Sequence, residues 1–306
     1  MITYNHEKFI GQAIESVLMQ KTNFDYELVI GEDCSTDGTK DIIIQYQKKN
    51  PEQIKLLPNE KNIGCNQNFI RTLSACNGEY IAILEGDDFW TSQNKLQKQV
   101  DFLDTQIDCS ICFHKVLGFY EGNSQKKDFF IPSKKIKPLS TIEDLLKENF
   151  IPTLSVMYRK KNIPSIPEYL TKFWMLDWPL HIIIAETGKI GYLNEDLGKY
   201  RRHENSLCSK KGVIQCYLGI VEMLISINHF LDNKFDGIIK STIAKQYYEL
   251  SLIYLKEKDI PTAKIYFNKS VKTKLINKQI SKIDISWLFI RLFVLSFFKE
   301  KNYLNK

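Results

Sequence analysis

The chain has 306 residues, 43% of them hydrophobic, enough to bury a core in one large domain with room for an appendage. Its formal charge of +6 gathers at the end: from Asn268 onward nine Lys/Arg stand against Asp284 and Glu300, so the remainder is about neutral. A nucleic-acid binder spreads positive charge over its folded domain with aromatic platforms among it, and that pattern is absent. Seven cysteines, an odd number at scattered spacings, with no apolar leader at the start, imply reduced thiols in a cytosolic compartment rather than a disulfide framework.

In chain order, Phe9, Ile10, Ala13, Ile14, Val17 and Leu18 follow helical spacing, and Tyr26 to Ile30 forms a short strand. Helices over 39–50, 66–75 and 96–103 then alternate with strands over 54–57, 80–84 and 109–116. This alternation predicts βαβ units and a mainly parallel sheet flanked by helices. Ligands of such sheets sit outside the carboxyl ends of the strands. Three polar clusters fall there: Thr3-Tyr4-Asn5, Glu32 to Ser35, and Glu85 to Asp88. Only Met1 and Ile2 precede the first cluster, so the first strand is either stunted or truncated. Cys109 and Cys112 form a CxxC inside the run CSICFHKV, which has no second pair and reads as strand cysteines rather than a zinc or redox site.

The apolar run Tyr80 to Leu84 ends on Glu85, Asp87 and Asp88, and carboxylates crowded in this way repel unless a cation sits between them. With no Cys or His beside them in sequence, they are hard oxygen donors suited to Mg²⁺ or Mn²⁺, whose shell a nucleoside diphosphate would complete. Taken alone, the Asp87-Asp88 pair equally suits a helix cap or a turn.

Four stretches in order, TYNHEKFIGQAIESVLMQ, ELVIGEDCSTDGT, NIGCNQNFIRTLSACNGEYIAILEGDDFW and FWMLDWPLHIIIAETGKIGYLNEDLGKYRRHENS, carry a resemblance to the family-2 inverting glycosyltransferases of the Rossmann-like GT-A fold, over roughly Met1 to Ser209. The resemblance implies that Thr3 and Tyr4 flank a nucleobase and Asp33 accepts a hydrogen bond from it. It also implies that Asp87 binds the ribose side of the donor, Asp88 is the metal ligand ending a DxD-type motif, and Asp177 is the catalytic base. Arg71 is a candidate donor contact or an exposed helix residue. The loop Tyr200 to Ser206 offers Arg201 or Arg202 to phosphate, with Arg202 the chosen donor contact, and His203 to metal or phosphate; a basic surface turn is the alternative. Without the resemblance, Asp177 between Trp174 and Trp178 reads either as a base beside aromatic faces that suit sugar C–H surfaces or as a helix cap before Pro179.

These features together imply a catalytic domain over 1–210 and a helical C-terminal region over 211–306. Residues 244–271 resemble one tetratricopeptide-like helix pair, with small Ala263 between Tyr254 and Phe267. The fourteen residues Ile285 to Phe298 reach roughly 21 Å as a helix, short of the ~30 Å hydrocarbon core. With lysines on both flanks, 283–300 reads as an interfacial helix on an anionic membrane or as a terminal core helix. The expectation is a cytoplasmic enzyme, peripheral on the inner face of the inner membrane, that moves a sugar from a nucleotide donor, most simply a UDP-sugar, to a glycan or lipid-linked acceptor in polysaccharide biosynthesis. The alternative is a noncatalytic nucleotide-sugar-binding or assembly subunit.

Overall fold

The computed structural model describes residues 1–123, 125–204 and 212–275, with side chains through residue 273. The described residues fall into two compact units, Met1–Leu145 with Asn149–Glu204, and Leu146–Glu148 with the helical region that follows. The expected interfacial helix over 283–300 lies outside the described residues.

The first unit begins as expected, with strands and helices alternating: β1 (Ile2–Thr3), α1 (Ile10–Leu18), β2 (Leu28–Glu32), α2 (Thr39–Lys49), β3 (Ile54–Pro58) and α3 (Cys65–Ser74). The three strands pair in parallel in the order β1-β2-β3. All five residues of β2 are buried, the mark of a parallel strand covered on both faces. α1 buries Ile10, Ala13, Ile14 and Val17, and Ile10, Ile14 and Val17 share one core cluster with Leu28, Ile30, Ile43 and Ile54. The close packing of α3 depends on Gly31, because a Cβ there would lie 1.9 Å from Thr72 Oγ1, and Asn68 Nδ2 donates to the Gly31 carbonyl at 2.8 Å.

The second sheet contains β4 (Tyr80–Ala82), β5 (Phe89–Trp90), β6 (Cys109–Tyr120), β7 (Phe129–Ile131), β8 (Leu139–Ser140), β9 (Met157–Arg159) and β10 (Lys189–Arg202). Its spine runs β4-β9-β6-β10-β5, with α4 (Lys95–Thr105), α5 (Ile142–Lys147) and α6 (Asp177–Ala185) inserted along the chain. Here the expectation of a mainly parallel arrangement holds only for β6 and β10; β4 with β9, β6 with β9, and β5 with β10 are antiparallel. A short excursion through β7, β8 and α5 separates β6 from β9, and nothing in the helix-strand alternation before residue 116 announces it. A parallel bridge between Ile2 and Glu85 joins the two sheets, reinforced by the Gly86 N–H donating to the Ile2 carbonyl at 2.9 Å. The short β1 therefore lies beside the acidic turn.

The second unit contains α7 (Val213–Phe230), α8 (Asp236–Lys256) and α9 (Ile260–Leu275). By length and composition, α7 is long and apolar enough to cross a membrane, a test that core helices also pass. α8 and α9 form a hairpin around Leu255, Ile260, Ala263 and Phe267, and the fully buried Ala263 lets the two helices approach.

Candidate active site

Two left-handed residues, Asn5 (φ 56°) and Cys34 (φ 60°), turn the chain sharply after β1 and β2. The two loops then lock together: the Thr36 N–H donates to Asn5 Oδ1 at 2.8 Å and the His6 N–H to Thr39 Oγ1 at 2.7 Å. This holds the His6 ring over the acidic turn, with Nδ1 3.2 Å from Thr3 Oγ1. Gly86 makes the approach possible, since a Cβ there would lie 2.5 Å from Thr3 Oγ1 and 3.0 Å from His6 Nδ1.

Asp87 Oδ2 is 3.0 Å from His203 Nε2 and 3.8 Å from His6 Nε2. Among the described residues, these three form the group that could hold a metal ion, with one donor atom each inside 4.8 Å of one another. Burial pushes the Asp87 carboxyl up, but the His203 hydrogen bond and the two imidazoles outweigh it and keep Asp87 below its usual range. Burial lowers the His6 pKa against the pull of Asp87, which favours the neutral imidazole that metal ligation needs. Two imidazoles and a carboxylate are a mixed N/O set that favours Mn²⁺ over Mg²⁺; of the expected ligands it contains His203 but not Asp88.

The structure puts Asp87 in this group and Asp88 outside it. Asp88 is 3% exposed and accepts the Arg201 N–H at 2.7 Å. Burial, then the charges of Asp87 and Glu85, raise its pKa well above the ordinary value. Glu85 is pushed up to about 8 by burial and by the charges of Asp87 and Asp177, and its Oε2 has no hydrogen-bond partner. The crowding of carboxylates read from the sequence is thus met partly by two histidines and partly by protonation.

The adjacent arginines part company because successive strand residues face opposite sides. Arg201 points inward: Nε–H donates to the Asp87 carbonyl at 2.8 Å, one terminal nitrogen pairs with Glu121, and the other donates to Gln12 Oε1 at 2.5 Å. Arg202, the expected donor contact, lies outward over the rings of Tyr120 and Phe129. Arg71 donates to the Leu57 and Pro58 carbonyls at 3.1 Å each, closing the end of β3 rather than joining the acids.

Asp33 is 2% exposed and accepts from Asn59 Nδ2 and the Ile63 N–H at 2.8 Å and from the Gly64 N–H at 2.9 Å, so it fixes the loop before α3. Thr3 is buried and Tyr4 is 41% exposed. Asp177 opens α6 as its first residue and makes no capping bond; Leu176 is the N-cap. Its Oδ2 lies 3.3 Å from Asn149 Nδ2 and 3.4 Å from Thr153 Oγ1. Trp178 is a core residue, 4% exposed with its indole N–H on the Leu145 carbonyl, so it offers no face to a sugar.

Cys65 ties these parts together. Cys65 is the first residue of α3, where a helix N-terminus would lower its pKa. Crowding by protein and the charges of Glu85, Asp177, Asp87 and Asp33 instead push it up to about 12. Four carboxylates from three separate segments, the acidic turn, the end of β2 and the start of α6, therefore act on one point. The CxxC pair is elsewhere: Cys109 and Cys112 are buried in β6, and residues three apart on a strand face opposite sides.

The profile of Glycosyl transferase family 2 matches residues 1–164, more than half of the chain. The chain belongs to glycosyl transferase family 2. Among its relatives, the uncharacterized protein Rv1520 of Mycobacterium tuberculosis is 38% identical over 206 residues, 67% of this chain and 58% of the relative. This chain thus spans less than two thirds of that relative's length. The putative teichuronic acid biosynthesis glycosyltransferase TuaG of Bacillus subtilis is 32% identical over 213 residues, 68% of this chain and 80% of TuaG. Two solved structures share the family fold. TarS 1–349 of S. aureus, in complex with UDP-GlcNAc, superimposes with a TM-score of 0.61 at 19% identity over 88% of this chain and 80% of that one. The mannosyltransferase PcManGT of Pyrobaculum calidifontis, with GDP-Man and Mn²⁺, gives 0.61 at 14% identity over 99% and 81%. At these identities the likeness is one of fold.

Proposed function

We propose that the protein is an inverting glycosyltransferase that moves a sugar from a nucleoside diphosphate donor to a hydroxyl of a glycan or lipid-linked acceptor in polysaccharide biosynthesis. The observation that carries this reading is the gathering of Asp87, His6 and His203 at the strand ends, with Asp177 acting on the same Glu85. TarS and PcManGT, with UDP-GlcNAc and GDP-Man, support the donor class, and TuaG supports the pathway. Uridine donors are the first choice.

Asp87, His203 and His6 would hold a divalent ion, Mn²⁺ before Mg²⁺. The ion supplies charge neutralisation to the departing diphosphate. The protein's own residues do the rest. Tyr4, exposed beside Thr3, offers a face to the nucleobase, and Asp33 holds the loop that borders it. Asp177 takes the proton from the acceptor hydroxyl as its oxygen attacks the anomeric carbon, with Asn149 and Thr153 orienting the carboxylate. Attack from the face opposite the leaving group inverts the anomeric centre.

The expected setting is the cytoplasm, with residues 283–300 touching an anionic membrane surface. Removing them should abolish salt-sensitive sedimentation with anionic vesicles while turnover of a water-soluble acceptor persists. A thermal-shift panel of UDP- and GDP-sugars with and without Mn²⁺, followed by product analysis with the stabilising donor, tests the central reading. Stabilisation by a nucleotide sugar, with no transfer or hydrolysis by the full chain, would favour a noncatalytic binding subunit.

A further inference from the structure

We propose that Arg201 is the positioning residue of the acidic turn: it sets the geometry in which Asp87, His203 and His6 receive a divalent cation, and it does not bind the donor phosphates. This inference rests on the reading of that trio as a metal site. Arg201 grips both neighbouring acids by different parts of itself. Its Nε–H holds the Asp87 carbonyl at 2.8 Å, and its backbone N–H holds the Asp88 carboxylate at 2.7 Å. The acid turn is thereby bonded to β10, two residues before His203.

The fork of the guanidinium is closed to other ligands. Glu121 at the end of β6 and Gln12 on α1 take its terminal nitrogens. The rings of Phe9, Phe119 and Phe89 lie 4.5, 5.0 and 5.3 Å from its central carbon, and the side chain is only 7% exposed. A phosphate ligand needs donors directed into the cleft, whereas these are directed into protein. Phe9 extends the brace, because its ring also meets the His203 ring with centroids 5.0 Å apart. One buried cation thus fixes the backbone that bears Asp87, while the ring between them fixes the imidazole opposite.

The test is Mn²⁺ binding, followed by the paramagnetic resonance of the free ion, for the wild type and for Arg201→Gln, Arg201→Lys, Phe9→Leu and Asp87→Asn. Binding of uridine diphosphate without metal is measured in parallel. Arg201→Gln should weaken Mn²⁺ about 10- to 100-fold, the usual range for a group that orients metal ligands. Arg201→Lys should recover only part of this, because a single ammonium cannot serve the Asp87 carbonyl, Glu121 and Gln12 at once. Phe9→Leu keeps every charge and should weaken Mn²⁺ in the same direction, which preserves the test if the arginine variants do not fold. Metal-free nucleotide binding should be unchanged in the Arg201 and Phe9 variants. Wild-type Mn²⁺ affinity in Arg201→Gln, or loss of metal-free nucleotide binding in it, overturns the inference while the metal site stands. Equal Mn²⁺ binding by wild type and Asp87→Asn overturns the metal site itself.

Discussion

His203 Nε2 lies 3.0 Å from Asp87 Oδ2, although 116 residues separate them in the chain. The pair closes the end of β10 onto the acidic turn, and it distinguishes Asp87 from its neighbour Asp88. Asp87→Asn should abolish Mn²⁺ binding and turnover, with little change in melting temperature because the amide fills the same volume. Asp88→Asn should keep Mn²⁺ binding within several-fold, since Asp88 acts by accepting the Arg201 N–H and burial already favours its protonated form. Calorimetric titration of both variants with Mn²⁺ compares them, and loss of binding in Asp88→Asn alone would restore Asp88 as the ligand.

Asp177→Asn separates chemistry from binding. Donor affinity should stay within a few-fold of the wild type while turnover falls by roughly 10²-fold or more, the result of losing a general base. Single-turnover kinetics beside equilibrium donor titration gives both numbers, and a collapse of donor affinity would mark Asp177 as a ligand or a structural residue.

A buried histidine predicts how the fold responds to acid. His181 lies within α6, fully buried with no partner for either ring nitrogen, and burial lowers its pKa to about 4. Below the ordinary value of about 6.5 the unfolded chain binds a proton that the folded chain refuses, so stability falls as pH drops from there towards 4. By pH 5 the loss is about 2 kcal/mol at ~1.36 kcal/mol per unit. His181→Leu should narrow the gap between urea midpoints at pH 7 and pH 5. It should not erase the gap, because His114 is lowered to about 3 by the same cause. An unchanged gap would mean that His181 is protonated in the fold.

Lys95 behaves in the same sense at the alkaline end. Its ammonium nitrogen sits 3.9 Å from the Trp90 ring centre, fully buried and with no hydrogen-bond partner. A desolvated cation–π contact contributes about 2 kcal/mol, yet burial dominates and lowers the pKa well below 10.5. Between that lowered value and 10.5, folding expels a proton that the unfolded lysine keeps, and stability rises with pH towards 10.5. Lys95→Met should raise the melting temperature at pH 7, with the advantage shrinking as pH approaches 10. A lower melting temperature at pH 7 would show that the lysine is charged and held by a partner.

The sequence revealed the first half of the fold because each element there carries its own period: α1 buries every third or fourth residue, and β2 is a solid apolar run. It was less informative after β6, where strands of two or three residues such as β8 and β9 are too short to show a pattern. In the candidate site, the acids stood out as unusual at the end of an apolar strand, whereas His6 did not. Its signal was its place three residues beyond Thr3, in the turn that Asn5 makes left-handed. Arg201 and Arg202 could not be ranked from composition, because which of the two faces inward follows from the pairing of β10, including the register shift after Asp196.

Gly86 constrains any attempt to exchange acidic turns between chains of this kind. The position between the first two acids looks like a free spacer, yet here a methyl group would collide with the Thr3 side chain and press on the His6 ring. A graft that imports a larger middle residue would have to import a smaller partner at position 3 as well, so the two segments form one exchangeable module. Recombining this chain with a relative at a crossover between residues 6 and 85 would mix halves of that module, whereas a crossover after Trp90 would keep it whole.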